Sequence, residues 1–334
     1  MKTYYVINCY DGCYYVRCLL PQRHNGWSGS LTTLYDEVDR HRDAIESIDS
    51  DVVVFHRADG AERIEAMKKL KQLGKVIVFD NDDTYKVGAD MFRAKVDFNE
   101  TAKWLDEAIK VSDLVTCSTE YLANEYREIH DNVKVLPNCV DSFDWGEPLR
   151  NDGEVIRVGI VGSTTFNDDF LPAEKLLKEL SKDYRFQLVM FGLPPKRNKG
   201  FEKDFDFWDK LNIEWQPFVP MYDYFDTLNS LKLDAMLIPR RDNYFNTCKS
   251  NIKFLEAGML EIPVIAQDIN PYEEIVNGVT GWKTKDWDVK DLLIDKRKLR
   301  EVGKNAKKYV LNNYDITKKA HLWEDAYNEV LSKV

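Results

Sequence analysis

Short apolar runs alternate with longer amphipathic stretches along this chain. Tyr4 to Cys9 is the first apolar run, and Asp51-Val52-Val53-Val54-Phe55 is a β-branched one. A helical pattern over Ala61 to Leu73 follows and is stopped by Gly74, after which Val76-Ile77-Val78-Phe79 predicts another strand. A helix ending at Val111 leads to Leu114-Val115-Thr116, and a helix over Glu120 to Ile129 leads to Val133 through Leu136. Residues Asp141 to Glu154 are polar and rich in turn formers, which marks a linker.

The pattern then restarts. Strands are expected at Val155 to Val161, Phe186 to Phe191, Ile213 to Phe218, Ala235 to Ile238 and Pro263 to Ala266. Helices are expected at Leu171 to Leu180, after Met221, after Ser250, and over Lys296 to Asn312 and Ile316 to Leu331. Strands alternating with helices imply parallel sheets with right-handed crossovers, so the fold class is α/β with two doubly wound, Rossmann-like domains. Their expected extents are residues 1–145 and 154–315. Ligands bind such sheets beyond the carboxyl ends of the strands, so a central cleft is expected where those ends face each other.

At 334 residues the chain suits two cores rather than one. The balance of 47 basic and 57 acidic residues gives a net charge of −10, which argues against broad nucleic-acid binding. No apolar run is long enough for a membrane span, and the opening Met1 to Ile7 reads as a strand rather than a signal peptide. The six cysteines (Cys9, Cys13, Cys18, Cys117, Cys139 and Cys248) form no C-x-x-C pair and have no partner at zinc-site spacing. They read as structural thiols of a cytoplasmic protein, and no metal is expected.

The segment Phe245 to Gly258 carries the most chemistry. It reads as a loop, a helix opening near Ser250 and a glycine stop at Gly258. Lys249, Lys253 and Glu256 fall at i, i+4 and i+7, on one helix face. Lysines around a first turn oppose the helix dipole unless an anion such as phosphate sits there. The same spacing also fits a solvated charged face. Asp80-Asn81-Asp82-Asp83 places three carboxylates just past a strand, where they can orient hydroxyls, hold a divalent cation or cap a turn. His56-Arg57 ends another strand, Gly162-Ser163 lies where backbone N–H groups can approach a phosphate, and Arg240-Arg241 follow the strand ending at Ile238. Trp27 (flanked by Gly26 and Gly29), Tyr85 and Tyr272 are candidate stacking rings.

These pieces together resemble the family-four-type glycosyltransferases of the GT-B fold, and within them the bacterial surface-polysaccharide type. The resemblance rests on Asp113 to Leu122 with Val135-Leu136-Pro137-Asn138, on Val158 to Ser163, on Phe245 to Ala266, and on Tyr272 with Gly278-Val279-Thr280-Gly281-Trp282. It implies a nucleotide-diphosphate-sugar donor held by the second domain and a glycan or lipid-linked acceptor in the first. It also implies retention at the anomeric carbon, and a last helix, 316–334, returning to the first domain. No cofactor is implied, and peripheral membrane contact is compatible with it. The implied catalytic residues are Lys253, Glu256 and Asp82. The implied donor-binding residues are Gly162, Ser163, Arg241, Asn246, Lys249, Ser250 and Tyr272. His56, Arg57, Asp80 and Asp83 fall on the acceptor side.

Two departures stand out. Relatives often carry a glutamate where this chain has Cys248, and a basic pair where it has Thr164-Thr165-Phe166-Asn167-Asp168-Asp169. The alternatives are a non-catalytic sugar-nucleotide-binding module, an enzyme that glycosylates modified nucleic acid, and a non-hydrolysing epimerase on the same fold.

Overall fold

The computed structural model describes residues 1–7, 10–27, 31–33, 48–58, 60–86, 98–162, 164–192 and 208–333. These form two compact units. One comprises Met1–Val140, Cys248–Ser250 and Ile316–Val334, and the other Asp141–Thr247 and Asn251–Asp315.

The first unit is built on a parallel sheet of β1 (Thr3–Ile7), β2 (Leu31–Thr33), β3 (Val52–His56), β4 (Val76–Asn81), β5 (Leu114–Cys117) and β6 (Val133–Val135), in the order β2-β1-β3-β4-β5-β6. β3 and β4 are buried throughout, as expected for central parallel strands rich in valine and phenylalanine. The chain steps outward from β1 to β2, then returns to the other side of β1 for β3, so the switch point lies between β1 and β3. The register pairs His56 with Asp80 and Asp80 with Thr116 across three neighbouring strands. All three therefore stand at the carboxyl end of the sheet. On one face, Ile64, Met67 and Leu70 of the Ala61–Gln72 helix enter the core with Phe55, Phe79 and Val115. Elsewhere in the unit Trp27 is stacked against Tyr5 and Tyr327, with ring centroids 6.3 and 5.3 Å away.

Tyr327 belongs to the tail, which packs in this first unit. The backbone N–H of Ile316 donates to Val140 O at 2.8 Å. The helix expected over 316–331 is interrupted: it runs Ile316–Lys319 and then His321–Leu331. Between them the Ala320 carbonyl accepts from Asn25 Nδ2.

The second unit holds β7 (Ile156–Val161), β8 (Phe186–Phe191), β9 (Ile213–Gln216), β10 (Ala235–Ile238), β11 (Val264–Gln267) and β12 (Trp282–Thr284), all parallel, in the order β12-β11-β10-β7-β8-β9. Its switch point lies between β7 and β10. At the carboxyl edge Gly192 has φ +90°, and a Cβ there would meet Gly162 O at 2.7 Å, so only glycine lets the two turns after β7 and β8 meet. β9 stops at Gln216 rather than reaching Phe218, because Pro217 has no N–H to extend the ladder. The edge strands β2 and β12 have three residues each, too few to show a period.

The segment singled out by its chemistry differs from expectation in two ways. Its helix runs Ile252–Met259, so Lys249 and Ser250 precede it and Lys249 does not share a helix face with Lys253. Gly258 is no stop either: it lies inside the helix, where an added Cβ would meet Val310 Cγ2 of the Lys296–Asn313 helix at 2.7 Å. The glycine is there to let two helices close up. No helix among the described residues is long and apolar enough to cross a membrane. None of the described cysteines forms a disulfide, and Cys9 lies outside the described residues.

Candidate functional site

Both units carry polar clusters at the carboxyl ends of their strands. In the second, the chain leaves β10 through Pro239, Arg240 and Arg241 and turns back as a short helix, Tyr244–Cys248. One carboxylate fastens this loop. Asp169 Oδ2 accepts from Arg240 at 2.8 Å, while Oδ1 accepts from the Arg241 backbone N–H at 3.1 Å and from Asn246 Nδ2 at 2.8 Å. Asn246 also donates to Arg241 O at 3.0 Å. Tyr272 is buried beside Arg240; burial lifts its phenol above the ordinary range although the guanidinium opposes the rise.

Past this loop the Ile252–Met259 helix begins without a side-chain cap, because Asn251 turns its amide to Glu274 instead. Lys253 and Glu256 lie one turn apart on it and meet a third residue, Tyr224. Lys253 Nζ is 2.7 Å from Glu256 Oε2 and 2.9 Å from Tyr224 Oη, and Tyr224 Oη donates to the same Oε2 at 2.7 Å. The three atoms form a closed triangle. Tyr224 comes from the Met221–Ser230 helix and its ring stacks on Phe191, the last residue of β8, at 5.3 Å and 21°. Burial and the Glu256 carboxylate push its phenol well above the ordinary value, so it stays protonated and donates.

In the first unit the centre is Asp80, 1% exposed. Arg17 reaches it with Nε at 3.1 Å and a terminal nitrogen at 2.6 Å, Thr116 Oγ1 donates at 2.6 Å, and His56 Nδ1 lies 3.0 Å away. Burial by itself would raise the carboxyl; the Arg17 charge, with hydrogen bonds from His56 and Arg17, outweighs it and brings the pKa to about 2. An ionised Asp80 calls for a proton on His56 Nδ1, and Nε2 of the same ring lies 4.0 Å from Asp82 Oδ1. Arg17 also donates to Leu136 O and Asn138 Oδ1.

The next two carboxylates are paired as well. Arg57 Nε donates to Asp82 Oδ1 at 2.8 Å, and the same guanidinium lies 3.4 Å from Asp83 Oδ2. Burial opposes ionisation of Asp82, but Arg57 and then His56 overcome it and hold the carboxyl below its ordinary range. Arg57 keeps a left-handed φ of 55°, a strained geometry for a residue with a side chain, and this backbone aims its guanidinium at both aspartates. Lys249 Nζ closes the set at 2.7 Å from Asp83 Oδ1. Around it Thr119 Oγ1 donates to Cys248 O at 3.0 Å and Asn138 Nδ2 to Ser250 Oγ at 2.9 Å, so Cys248–Ser250 is held within the first unit.

The expected residues thus fall into two groups. Arg241, Asn246, Lys253, Glu256 and Tyr272 lie in the second unit with Gly162, and His56, Arg57, Asp80, Asp82, Asp83, Lys249 and Ser250 in the first. Ser163 and Gly29 lie outside the described residues. Sequence reasoning missed Arg17, Thr116, Asp169 and Tyr224. Thr116 had a signal, its place at the end of a strand next to β4; Tyr224 was one aromatic among many. Trp27 and Tyr85 are packed rather than presented: Trp27 is buried as described, and Tyr85 stacks on Tyr126 and donates to Asp106 at 2.6 Å. Among the described residues no three His, Cys, Asp or Glu side chains converge as a metal site would require.

Comparison with solved structures fits this architecture. The chain matches a crystal structure of Anabaena Alr3699/HepE in complex with UDP and glucose at a TM-score of 0.70 and 10% identity, covering 98% of this chain and 99% of that one. It matches AviGT4, a glycosyltransferase involved in avilamycin A biosynthesis, at 0.65 and 13%, covering 100% and 99%. It matches the apo form of WaaB, a lipopolysaccharide outer core galactosyltransferase, at 0.59 and 13%, covering 100% of both chains. The fold is GT-B. No family model matches the sequence, and a search of curated proteins returned no match. At these identities the likeness is one of fold, with two parallel sheets, each flanked by helices.

Proposed function

We propose that this protein is a glycosyltransferase that moves a sugar from a nucleotide-diphosphate donor to a hydroxyl acceptor, a glycan or a lipid-linked sugar. One observation carries the reading. Lys253 and Glu256 occupy the first turns of an uncapped helix that starts at the carboxyl end of the second sheet, beside its switch point. Open helix N–H groups and an ammonium suit a diphosphate, and a carboxylate beside them suits hydroxyls.

The chemistry follows from charge. Breaking the sugar–phosphate bond leaves negative charge on the diphosphate and positive charge on the sugar. Lys253, the helix N-terminus, Arg241 and Lys249 are the proposed stabilisers of the first, with Gly162 and Ser163 giving backbone access and Asn246, Ser250 and Tyr272 lining the donor. No metal is needed on this account. Asp82, kept anionic by Arg57, is a poor base and a good electrostatic partner for the developing cation. The acceptor proton then passes to the leaving phosphate on the same face, with retention. His56, Arg57, Asp80 and Asp83 shape the acceptor side. We place the reaction in the cytoplasm, in surface-polysaccharide assembly.

A second reading, a sugar-nucleotide binder without turnover, draws on Cys248, which is fully buried where the resemblance leads one to expect a glutamate. A thermal-shift screen of nucleoside diphosphates and their sugars identifies the base. Donor hydrolysis by wild type, lost in Lys253→Ala and Glu256→Ala, supports transfer chemistry; binding with no hydrolysis or transfer supports the binder. Full turnover in both variants overturns the site assignment.

A further inference from the structure

We propose that Tyr224 is a positioning residue that sets the donor selectivity of Glu256, an inference that rests on the donor site proposed above. Among the described residues the two donors that reach Glu256, Tyr224 Oη and Lys253 Nζ, fall on a single oxygen, Oε2. Oε1 takes no hydrogen bond from the described residues. A carboxylate offers two oxygens of equal basicity, so it is geometry that reserves one for the protein and presents the other outward. The carboxylate is only 12% exposed and has little room to turn.

Lys253 by itself does not fix this arrangement. An ammonium on a flexible stem pairs equally well with either oxygen, and a bound phosphate competes for it. The phenol is different. Its ring is held flat against Phe191 and lies under Lys253 Nζ, 5.2 Å from the ring centroid, so its hydroxyl has one place to point. When phosphate draws Lys253 away, Tyr224 keeps a hydrogen bond on Oε2 and spares Glu256 from being a half-buried carboxylate with no donor. Oε1 then remains aimed at a hydroxyl of the donor. Ribose and the transferred sugar both supply such a group, and the chemistry of recognition is the same for either.

The test uses the full chain and a variant that removes only the hydroxyl, Tyr224→Phe. Calorimetric affinities are measured for UDP, GDP and ADP, for their 2′-deoxy counterparts, and for the sugar conjugates of whichever base binds. In wild type the compound carrying the recognised hydroxyl binds more tightly than the one lacking it, by about tenfold, as expected for a hydrogen bond to a charged group. In Tyr224→Phe that ratio falls towards one, while affinity for the deoxy or sugar-free compound changes little. Loss of the ribose-to-deoxyribose ratio assigns Glu256 to ribose, and loss of the conjugate-to-diphosphate ratio assigns it to the sugar; either supports the proposal. A merely structural tyrosine would weaken all ligands alike and leave both ratios intact, which would overturn it. Should Tyr224→Phe melt early, Phe191→Leu, which loosens the ring and keeps the hydroxyl, must lower the same ratio. Failure of wild type to bind any nucleoside diphosphate would instead remove the donor site itself.

Discussion

Lys249 and Lys253 are separated by three residues, yet Lys249 is paired with Asp83 in the first unit and Lys253 with Glu256 in the second, each at 2.7 Å. Two cations that look equivalent on a helical wheel therefore have different partners to give up before they can reach a phosphate. Lys253→Ala is expected to weaken nucleoside diphosphate binding by about tenfold or more. Lys249→Ala should cost less, since Lys249 precedes the helix and belongs to the first unit, whereas Lys253 stands in the helix's first turn. Titration calorimetry on the two variants ranks them, and equal losses would show both lysines on the same phosphates.

Asp80 makes stability depend on acid. Its pKa in the folded protein is about 2, below the unfolded value of roughly 3.9. The stabilisation is complete above that unfolded value and is lost as the pH falls towards 2, a contribution of about 2–3 kcal/mol. Urea unfolding at a series of pH values between 6 and 2 should show this slope. Asp80→Asn should flatten it, and at neutral pH should cost about 3–5 kcal/mol because Arg17 is left buried without its counter-charge.

Cys248 sits in the hydrophobic core of the first unit among Leu122, Tyr126 and their neighbours. Installing the glutamate that relatives carry there, Cys248→Glu, is expected to destabilise the protein by several kcal/mol rather than improve activity, since a carboxylate would enter an apolar site. A fall in melting temperature of about 10 °C or more is the expected readout. A variant as stable as wild type with faster turnover would show that this side chain can swing out to the donor.

Gly258→Ala forces a methyl to within 2.7 Å of Val310 Cγ2. Overpacking of this kind costs about 1–3 kcal/mol, and the double variant Gly258→Ala/Val310→Ala should recover part of it. Chemical denaturation of the three proteins measures the coupling. Additive losses would mean the helices separate instead.

The α/β alternation and the central strands were readable because strands such as Val52–His56 and Val76–Asn81 are buried on both faces and say so in their composition. Less readable were features fixed by contacts distant in sequence. Nothing around Arg17 announces that it will meet Asp80, 63 residues away. Asp169 lies in a run that reads as a departure from a basic phosphate site, yet its carboxylate fastens Arg240, Arg241 and Asn246. The helical period placed Lys249 beside Lys253 because periodicity carries on past a helix start unless a cap interrupts it, and Asn251 spends its side chain on Glu274. Tyr224 was hidden for a different reason: a hydroxyl's partner depends on ring orientation, and no spacing rule encodes that.

Because Cys248–Ser250 and Ile316–Val334 complete the first unit, that unit is assembled from three separate lengths of chain. During synthesis its sheet emerges well before Trp323 and Tyr327, which are buried in the same unit but are made only after the residues of the second unit. Truncation before Ile316 is accordingly expected to leave Trp27 without the Tyr327 ring that covers it and to expose that part of the first unit to aggregation.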